Sequence, residues 1–504
     1  MINLELSSSI LFLLLPLTLL FLKSICTTFF IKSSGKHAPR AYPLIGSLFP
    51  ILQNRHRFIQ WTSDLVNNSP TKSVTIHRPL GNVRVMTANP DVVKHILKTN
   101  FQNYPKGVPS RDKAYDLLGD GIFNIDGDTW KFQRQVSSHE FNTKSLRHFV
   151  EEVVETELND RLLPILATGA TTQTTVFDFQ DILQRFAFDN ICKIAFGYDP
   201  VYLAPELPEA KFATAFDEAV MITTGRIRSN LPLIWKLKRL LNIGSEHRLC
   251  NAISIVREFA VNVTKEKKLE LEQKQTLNSV DLLSRFLNSG HSDEKFISDI
   301  VISFILAGRD TTSAALTWFF WLIYKNPSVE KEIIKEIKMK KEKLNYEDVK
   351  DMVYTHASLC ESMRLYPPVP IDGKQVLNDD VLPDGTSVKK GSHVTYHIFA
   401  MGRSEELWGS DWMEFRPERW LEMGDDGWVF KGRDCYEYPV FQAGPRVCLG
   451  KEMAFLQMKM VATGVLRRFR VVPAMDDGVE PVYVSYFTAK MKGGFPVRIE
   501  ERVI

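Results

Sequence analysis

The stretch that most constrains the fold lies past the middle of the chain. Phe296 to Tyr324 carries a helical pattern and is apolar nearly all round. A helix without a polar face is either buried in a large domain or spans a membrane. Arg309, Asp310, Thr311 and Thr312 interrupt its middle, and such residues are costly in lipid. The run is therefore expected to be the central helix of a large domain. The chain can supply one: it has 504 residues, 44% of them hydrophobic, with no low-complexity linker and no internal repeat. Ala307-Gly308 leaves room on one face for a small molecule, with an acid (Asp310) and a hydroxyl (Thr311) beside the gap. An acid relaying protons through a hydroxyl and water is a general acid–base device. The alternative is a kink in which the Thr311 and Thr312 hydroxyls bond back to the backbone.

The second constraint is Phe441-Gln-Ala-Gly-Pro-Arg-Val-Cys-Leu-Gly450. A thiolate is a soft, electron-donating ligand suited to a haem iron. It needs backbone N–H groups turned toward the sulfur, which a tight loop at Gly444 and around Cys448 supplies. Phe441 is placed to shield it from water, and Arg446 offers a cation to the acidic edge of a porphyrin. Gly450 lets the following helix, Lys451 to Phe469, come close to the ring. The plainer alternative is a structural cysteine in a glycine-containing turn. Six scattered cysteines without a CxxC pair argue against a disulfide scaffold and against zinc, and fit a reducing compartment. A net charge of +3 gives no sign of nucleic-acid binding.

At the N-terminus, Leu6 to Leu22 is uncharged and mostly apolar. After Lys23 an uncharged run continues to Ile31, long enough in total to span a bilayer. Lys23, Lys32, Lys36 and Arg40 follow, so the bulk of the chain is expected on the cytosolic side. A cleaved signal peptide would want a basic start and a small-residue cleavage site, and neither is present. Pro39 and Pro43 mark a stiff, extended elbow. Ser73 to Ile76 and Val83 to Thr87 read as strands, Asp91 to Thr99 as a helix, and the glycine-bearing stretch Tyr104 to Asp128 as a loop-like region containing Leu117 and Phe123. Trp130 and Arg134, four apart on a helix, share a face. They suit a pair of donors for carboxylates, the alternative being a packing tryptophan beside a surface arginine. Leu231 to Leu241 mixes apolar and basic residues and either lies on a bilayer surface or packs inward. The charged runs Lys265 to Lys274 and Lys331 to Lys343 read as solvated faces, with docking of a redox partner as the minority alternative.

Further on, Glu361 and Arg364 stand three apart on a helix, and Phe415-Arg-Pro-Glu-Arg419-Trp follows. The first pair alone is equally an exposed ion pair. Together with Arg419 it makes a carboxylate with two guanidiniums, which when buried is satisfied only as a set. Pro383-Asp-Gly-Thr386 marks a hairpin turn leading to a strand at Val394 to Ile398. Val482 to Val497 reads as another hairpin with its tip near Phe487.

These stretches, in this order, resemble the cytochromes P450 over the whole chain. Phe-x-x-Gly-x-Arg-x-Cys-x-Gly is met at every position of the haem-thiolate loop. Ala307-Gly-Arg-Asp-Thr-Thr312 matches the oxygen-activation motif, and Glu361, Arg364 and Arg419 resemble the structural Glu-Arg-Arg triad. The resemblance implies a mainly α fold with small β-sheets, the triangular helical haem domain over 47–504, behind a transmembrane anchor (1–31) and a basic, proline-containing elbow (32–46). It implies haem b (iron protoporphyrin IX) with Cys448 as axial iron ligand. Trp130, Arg134 and Arg446 would hold its propionates, with Lys374 at a position where the family often has a further base. Asp310 and Thr311 would manage protons during splitting of O2. The tip near Phe487 and the region around Leu117 and Phe123 would border the substrate. No flavin or nicotinamide fingerprint appears, so NADPH electrons would come from a separate partner, the NADPH-cytochrome P450 reductase of the endoplasmic reticulum membrane.

In finer detail, Phe304 to Trp321, Trp130 to Phe141 and Phe441 to Phe455 look like plant fatty-acid ω-hydroxylases. That implies oxygen-dependent hydroxylation of the terminal carbon of medium- or long-chain fatty acids. Close relatives oxidise jasmonoyl-isoleucine or a steroid side chain instead. Two other classes stand further off: a haem-thiolate isomerase or dehydratase needing no O2, against which the intact Asp310-Thr311 pair speaks, and a non-catalytic haem sensor.

Overall fold

In a computed structural model of the protein, the central run is one continuous helix over 294–325. Nearly all of its residues are buried, and it packs against the helices Phe179–Phe196 and Val353–Leu365. Its middle, Leu306–Asp310, widens into a π-turn, an irregularity that frequently accompanies functional sites. The structure describes residues 37–502 apart from 44, 142, 173, 230, 274–280, 290–292, 426 and 477. The expected anchor lies outside these residues. Among the described residues no helix is long and apolar enough to cross a membrane.

Around this helix the chain is mostly helical, the longest elements being Ser245–Gln273, Phe179–Phe196, Lys211–Arg228 and Lys451–Arg468. The β structure is small. One four-stranded sheet runs Ser73–His77, Val83–Thr87, His393–Tyr396, Asp372–Gln375, joined antiparallel, parallel and antiparallel. A three-stranded sheet joins Phe469–Pro473, Pro496–Glu501 and Phe177–Asp178. The C-terminal hairpin Tyr483–Ser485/Ala489–Met491 turns at 486–488. Three apolar clusters result among the described residues: a large helical core, a smaller one between the four-stranded sheet and the segment 90–104, and a small one of Ile122, Ile125 and Trp130.

Three local expectations change, and one pair of alternatives narrows to one. The elbow is not extended: Tyr42 and Gly46 bridge each other through paired backbone bonds of 2.9 and 2.8 Å, and Gly46 adopts φ +57° against the end of the first strand. Within 104–128 the helix Val108–Leu118 forms between Gly107 and Gly119, both at positive φ. The glycines bound a helix here instead of filling a loop. Leu117 is buried in the helical core, whereas Phe123 is exposed. The strand expected from Val394 to Ile398 occupies His393–Tyr396, because a short helix starts at Ile398, capped by the His397 side chain. Finally, the helix Pro232–Leu241 does not pack inward. Only Trp235 is buried, while Leu233, Ile234, Leu237, Leu240 and Leu241 face outward.

His397 joins the sheet to the helix Phe58–Asn67. Its Nδ1 accepts from the Ala400 N–H at 3.1 Å, and its Nε2 meets the Thr62 hydroxyl at 2.9 Å. Burial pushes its pKa down to about 3. A base that stays neutral when folded takes up its proton on unfolding. Its contribution is therefore complete above the unfolded value and is lost as pH falls from about 6.5 toward 3, at about 1.4 kcal/mol per pH unit. Melting temperature is expected to drop over this window, and His397→Gln to flatten the drop. An equal acid slope in parent and variant would remove His397 as its source.

Candidate functional site

The cysteine loop is held in place by sterics and hydrogen bonds. Gly444 has φ +63°, and a Cβ there would stand 2.0 Å from the Leu97 carbonyl oxygen. No other residue fits that approach. The Cys448 N–H donates to the Phe441 carbonyl at 2.8 Å. Phe441 is half-buried against Phe455, ring centres 5.1 Å apart. The Cys448 thiol is accessible to solvent although it lies within the body of the protein. Burial raises its pKa, opposed by a backbone N–H from Gly450 and by the charges of Arg134 and Lys451. Gly450 has an ordinary φ of −86°, and a Cβ there would meet Phe141 at 3.6 Å, so protein atoms alone do not demand a glycine.

Trp130 and Arg134 lie on the helix Gly127–Ser138. Arg134 Nη2 donates to the Val447 carbonyl at 2.8 Å, next to the cysteine. Arg446 stacks on the Trp130 ring at 4.3 Å, and its Nη2 donates to Asp126 at 2.7 Å and to the Ile125 carbonyl. Burial lowers the pKa of both arginines. The Trp130 indole N–H has no acceptor among the described residues. Lys374 is buried beside Asp372 at 2.9 Å, which also takes Lys106 and the Tyr396 hydroxyl. Tyr396 in turn contacts Gln442 of the cysteine loop. Burial takes Lys374 down to about 7.

On the central helix, Ala307, Gly308 and Thr311 are partly open where their neighbours are sealed. Gly308 is accounted for by packing: a Cβ there would run into Ile191 at 2.5 Å. The room for a small molecule is thus left by Ala307 and the π-turn, not by Gly308. The Thr311 hydroxyl donates to the Ala307 carbonyl at 2.6 Å, so the back-bonded geometry is realised. Its oxygen lone pairs remain free to accept. Asp310 is buried in a network that the motif does not announce. Arg309 Nη1 donates to Asp310 at 2.8 Å and to Asp217 at 2.7 Å. Lys490 grips the other Asp217 oxygen at 2.6 Å, and Thr488 reaches Asp310 at 3.4 Å. Burial raises the pKa of Asp310, against Arg309 and Lys490. For Asp217, burial is outweighed by Arg309 and Lys490, which hold it at about 2. Asp217, Thr488 and Lys490 were missed in the sequence because nothing local marks a partner so distant in the chain.

Glu361 is sealed from solvent under the loop. Arg364 grips it with two bonds of 2.8 Å, Arg419 Nε adds another at 2.8 Å, and the Arg416 N–H and Trp420 Nε1 complete the set. The spare guanidinium N–H groups hold the carbonyls of Gly402, Trp412 and Glu414 for Arg364, and of Trp408 and Asp411 for Arg419.

The donor set fits a haem. It offers an accessible thiol inside the protein, an indole N–H without an acceptor, two arginines beside it, and an open patch on an otherwise buried helix.

Two outcomes test these networks. Glu361→Ala leaves the buried Arg364 guanidinium without a carboxylate and Arg419 with Asp411 alone, and should cost about 3–5 kcal/mol. The expected result is protein that melts far lower or does not accumulate; a parental melt would show the network to be dispensable. Asp217→Asn removes an anion that holds the Asp310 pKa up and leaves Arg309 to Asp310 alone. The Asp310 pKa should fall, and its carboxyl infrared band should titrate at lower pH. An unmoved band would uncouple the two residues.

The sequence profile of the family "Cytochrome P450" matches residues 37–493. The chain is 62% identical over 468 residues to "Cytochrome P450 94A2" of Vicia sativa, covering 92% of this chain and 91% of that one. It is 48% identical over 499 residues to "Cytochrome P450 94B3" of Arabidopsis thaliana, 98% of each. It is 46% identical over 461 residues to "Cytochrome P450 CYP94D109" of Paris polyphylla, 88% of this chain and 89% of that one.

Proposed function

The chain belongs to the cytochrome P450 family of haem-thiolate monooxygenases, and we propose that it hydroxylates the terminal carbon of medium- and long-chain fatty acids. The overall reaction is RCH3 + O2 + NADPH + H+ → RCH2OH + H2O + NADP+, with the electrons delivered by a separate NADPH-dependent reductase. When bound, haem supplies a redox-active iron that activates O2 for insertion into a C–H bond. The protein residues prepare that chemistry. Cys448 would hold the iron through its sulfur, with the Gly450 N–H tempering the charge on the sulfur. Trp130, Arg134 and Arg446, with Lys374, would hold the propionates. Asp310 presents a buried carboxyl whose pKa burial raises and which is paired with Arg309, and Thr311, fixed by its bond to Ala307, accepts a hydrogen bond in the cleft.

The observation that carries the monooxygenase assignment over an O2-independent isomerase is this pairing of a buried acid at the end of the π-turn with a half-open hydroxyl on the residue that follows it. Terminal attack requires the methyl end to be held at the iron and the weaker inner C–H bonds kept away. We assign that selection to the hairpin tip, where Phe487 is half-buried against the helical core. We place the protein at the endoplasmic reticulum membrane, spanned by the leader, with the catalytic domain cytosolic. The helix Pro232–Leu241 supports this reading, with Leu233 75% and Leu240 81% exposed beside Lys236 and Lys238.

The test is a reaction of membranes holding the full chain, reductase and NADPH with labelled lauric and oleic acids, products being resolved by position. The expected product is the terminal alcohol, absent in Cys448→Ala. Thr311→Ala should lower it by about 100-fold or more and release peroxide in its place. A protein with the thiolate carbon-monoxide spectrum but no fatty-acid product would overturn the substrate assignment and direct the search to jasmonoyl-isoleucine and sterols.

A further inference from the structure

One residue of the cysteine loop holds a backbone shape that its side chain makes difficult. Gln442 has φ +63° and ψ 178°, a region populated almost only by glycine. Asn242, also at positive φ, sits in the ordinary left-handed region with ψ 49°. Two residues after Gln442 the loop does use a glycine, Gly444, where only the backbone has room. A glutamine at 442 is a strained choice unless its side chain is needed.

That side chain is engaged. Its amide meets the hydroxyl of Tyr396, which is fully buried on the strand His393–Tyr396. The same hydroxyl reaches Asp372 at 2.8 Å. Lys106 and Lys374 hold Asp372 at 2.8 and 2.9 Å. Against burial, these two lysines keep its carboxyl well below the usual range. Burial and the Asp372 charge push the Tyr396 phenol up, so it keeps its proton. Gln442 is thus tied to a hydroxyl that an ion network fixes on its other side.

The backbone at Gln442 bears directly on the cysteine. The peptide joining Phe441 to Gln442 is used at both of its polar atoms. The Gln442 N–H donates to the Pro439 carbonyl at 3.0 Å, and the Phe441 carbonyl accepts from the Cys448 N–H at 2.8 Å. Beyond it, Ala443 is fully buried and Gly444 is seated on the Leu97 carbonyl. Because a peptide is planar, rotation about the Gln442 N–Cα bond swings that whole unit relative to the chain that follows. An ordinary negative φ at 442 turns the Phe441 carbonyl away from Cys448.

We propose that Gln442 is a positioning residue for the cysteine ligand: the contact of its side chain with Tyr396 holds its backbone in this shape, and the shape aims the Phe441 carbonyl at the Cys448 N–H. This deepens the reading of Cys448 as the iron ligand and rests on it. Since Asp372 also holds Lys374, the tie joins the thiol side of the site to a lysine assigned above to the propionates.

The test uses the full-length holoprotein in detergent, with two readouts. One is the thiolate carbon-monoxide spectrum; the other is deuterium exchange at the Cys448 amide, followed by mass spectrometry. Gln442→Gly permits the shape without the tie, whereas Gln442→Ala keeps the strain and loses the tie. The alanine variant is expected to lose most of the thiolate signal and to exchange at Cys448 about tenfold or more faster than the parent. The glycine variant should stay within about threefold of the parent. Tyr396→Phe should follow the alanine variant, and carries the test if Gln442→Ala does not accumulate. Parental spectrum and exchange in Gln442→Ala or Tyr396→Phe overturns the proposal, even where the melting temperature falls. An equal loss in the glycine and alanine variants also overturns it, because the backbone shape is then not what the side chain secures. A parent without the thiolate spectrum, whose Cys448 amide is protected and loses that protection in Gln442→Ala but not in Gln442→Gly, supports the positioning while the iron-ligand reading fails.

Discussion

The site depends on one carboxylate. Glu361 is fully buried, and its two oxygens take every donor they can hold: two guanidiniums, a backbone N–H and an indole N–H. Removing any partner leaves the others desolvated without compensation, so the set behaves as a unit. Through the spare donors of Arg364 and Arg419 it also fixes the chain 402–420, whose own backbone pairing is confined to short turns. Tyr438 then bonds the carbonyl of Cys360, beside Glu361, at 2.9 Å, and three residues on the cysteine loop begins. The loop geometry is inherited from this buried charge.

The Asp310 network uses the same residue types to a different end. Its outer carboxylate, Asp217, is 37% exposed at the side chain, and one of its cations comes from the C-terminal hairpin. Nothing seals it as Glu361 is sealed. Movement of the hairpin or of the helix Lys211–Arg228 therefore changes the electrostatic surroundings of Asp310 directly.

What could be read in the sequence was local. The cysteine loop, the Trp130/Arg134 face and the Glu361/Arg364 turn each fall within a few residues, where spacing reports geometry. The central helix was legible because burial on all sides leaves an unmistakable composition. The π-turn inside it was not, since a one-residue widening alters no periodicity over so short a run. The helix Val108–Leu118 was hidden because Gly107 and Gly119 read as loop when they are its ends. Asp217 and Lys490 have ordinary local surroundings, and their environment is assembled by strands and helices far apart in the chain. Gly308 was assigned to the correct element for the wrong reason: its missing side chain makes way for Ile191, not for a ligand.

The contact between Gly444 and the Leu97 carbonyl carries a consequence for biogenesis. The cysteine loop is synthesised near the end of the chain, yet the surface against which it seats belongs to the first hundred residues. A nascent chain on the ribosome can fold its N-terminal sheet early, but the pocket floor exists only after nearly the whole polypeptide has emerged. The thiol and Arg446 thus join the site last, and a chain truncated before Gly444 keeps Trp130, Arg134 and the central helix without the cysteine that they surround.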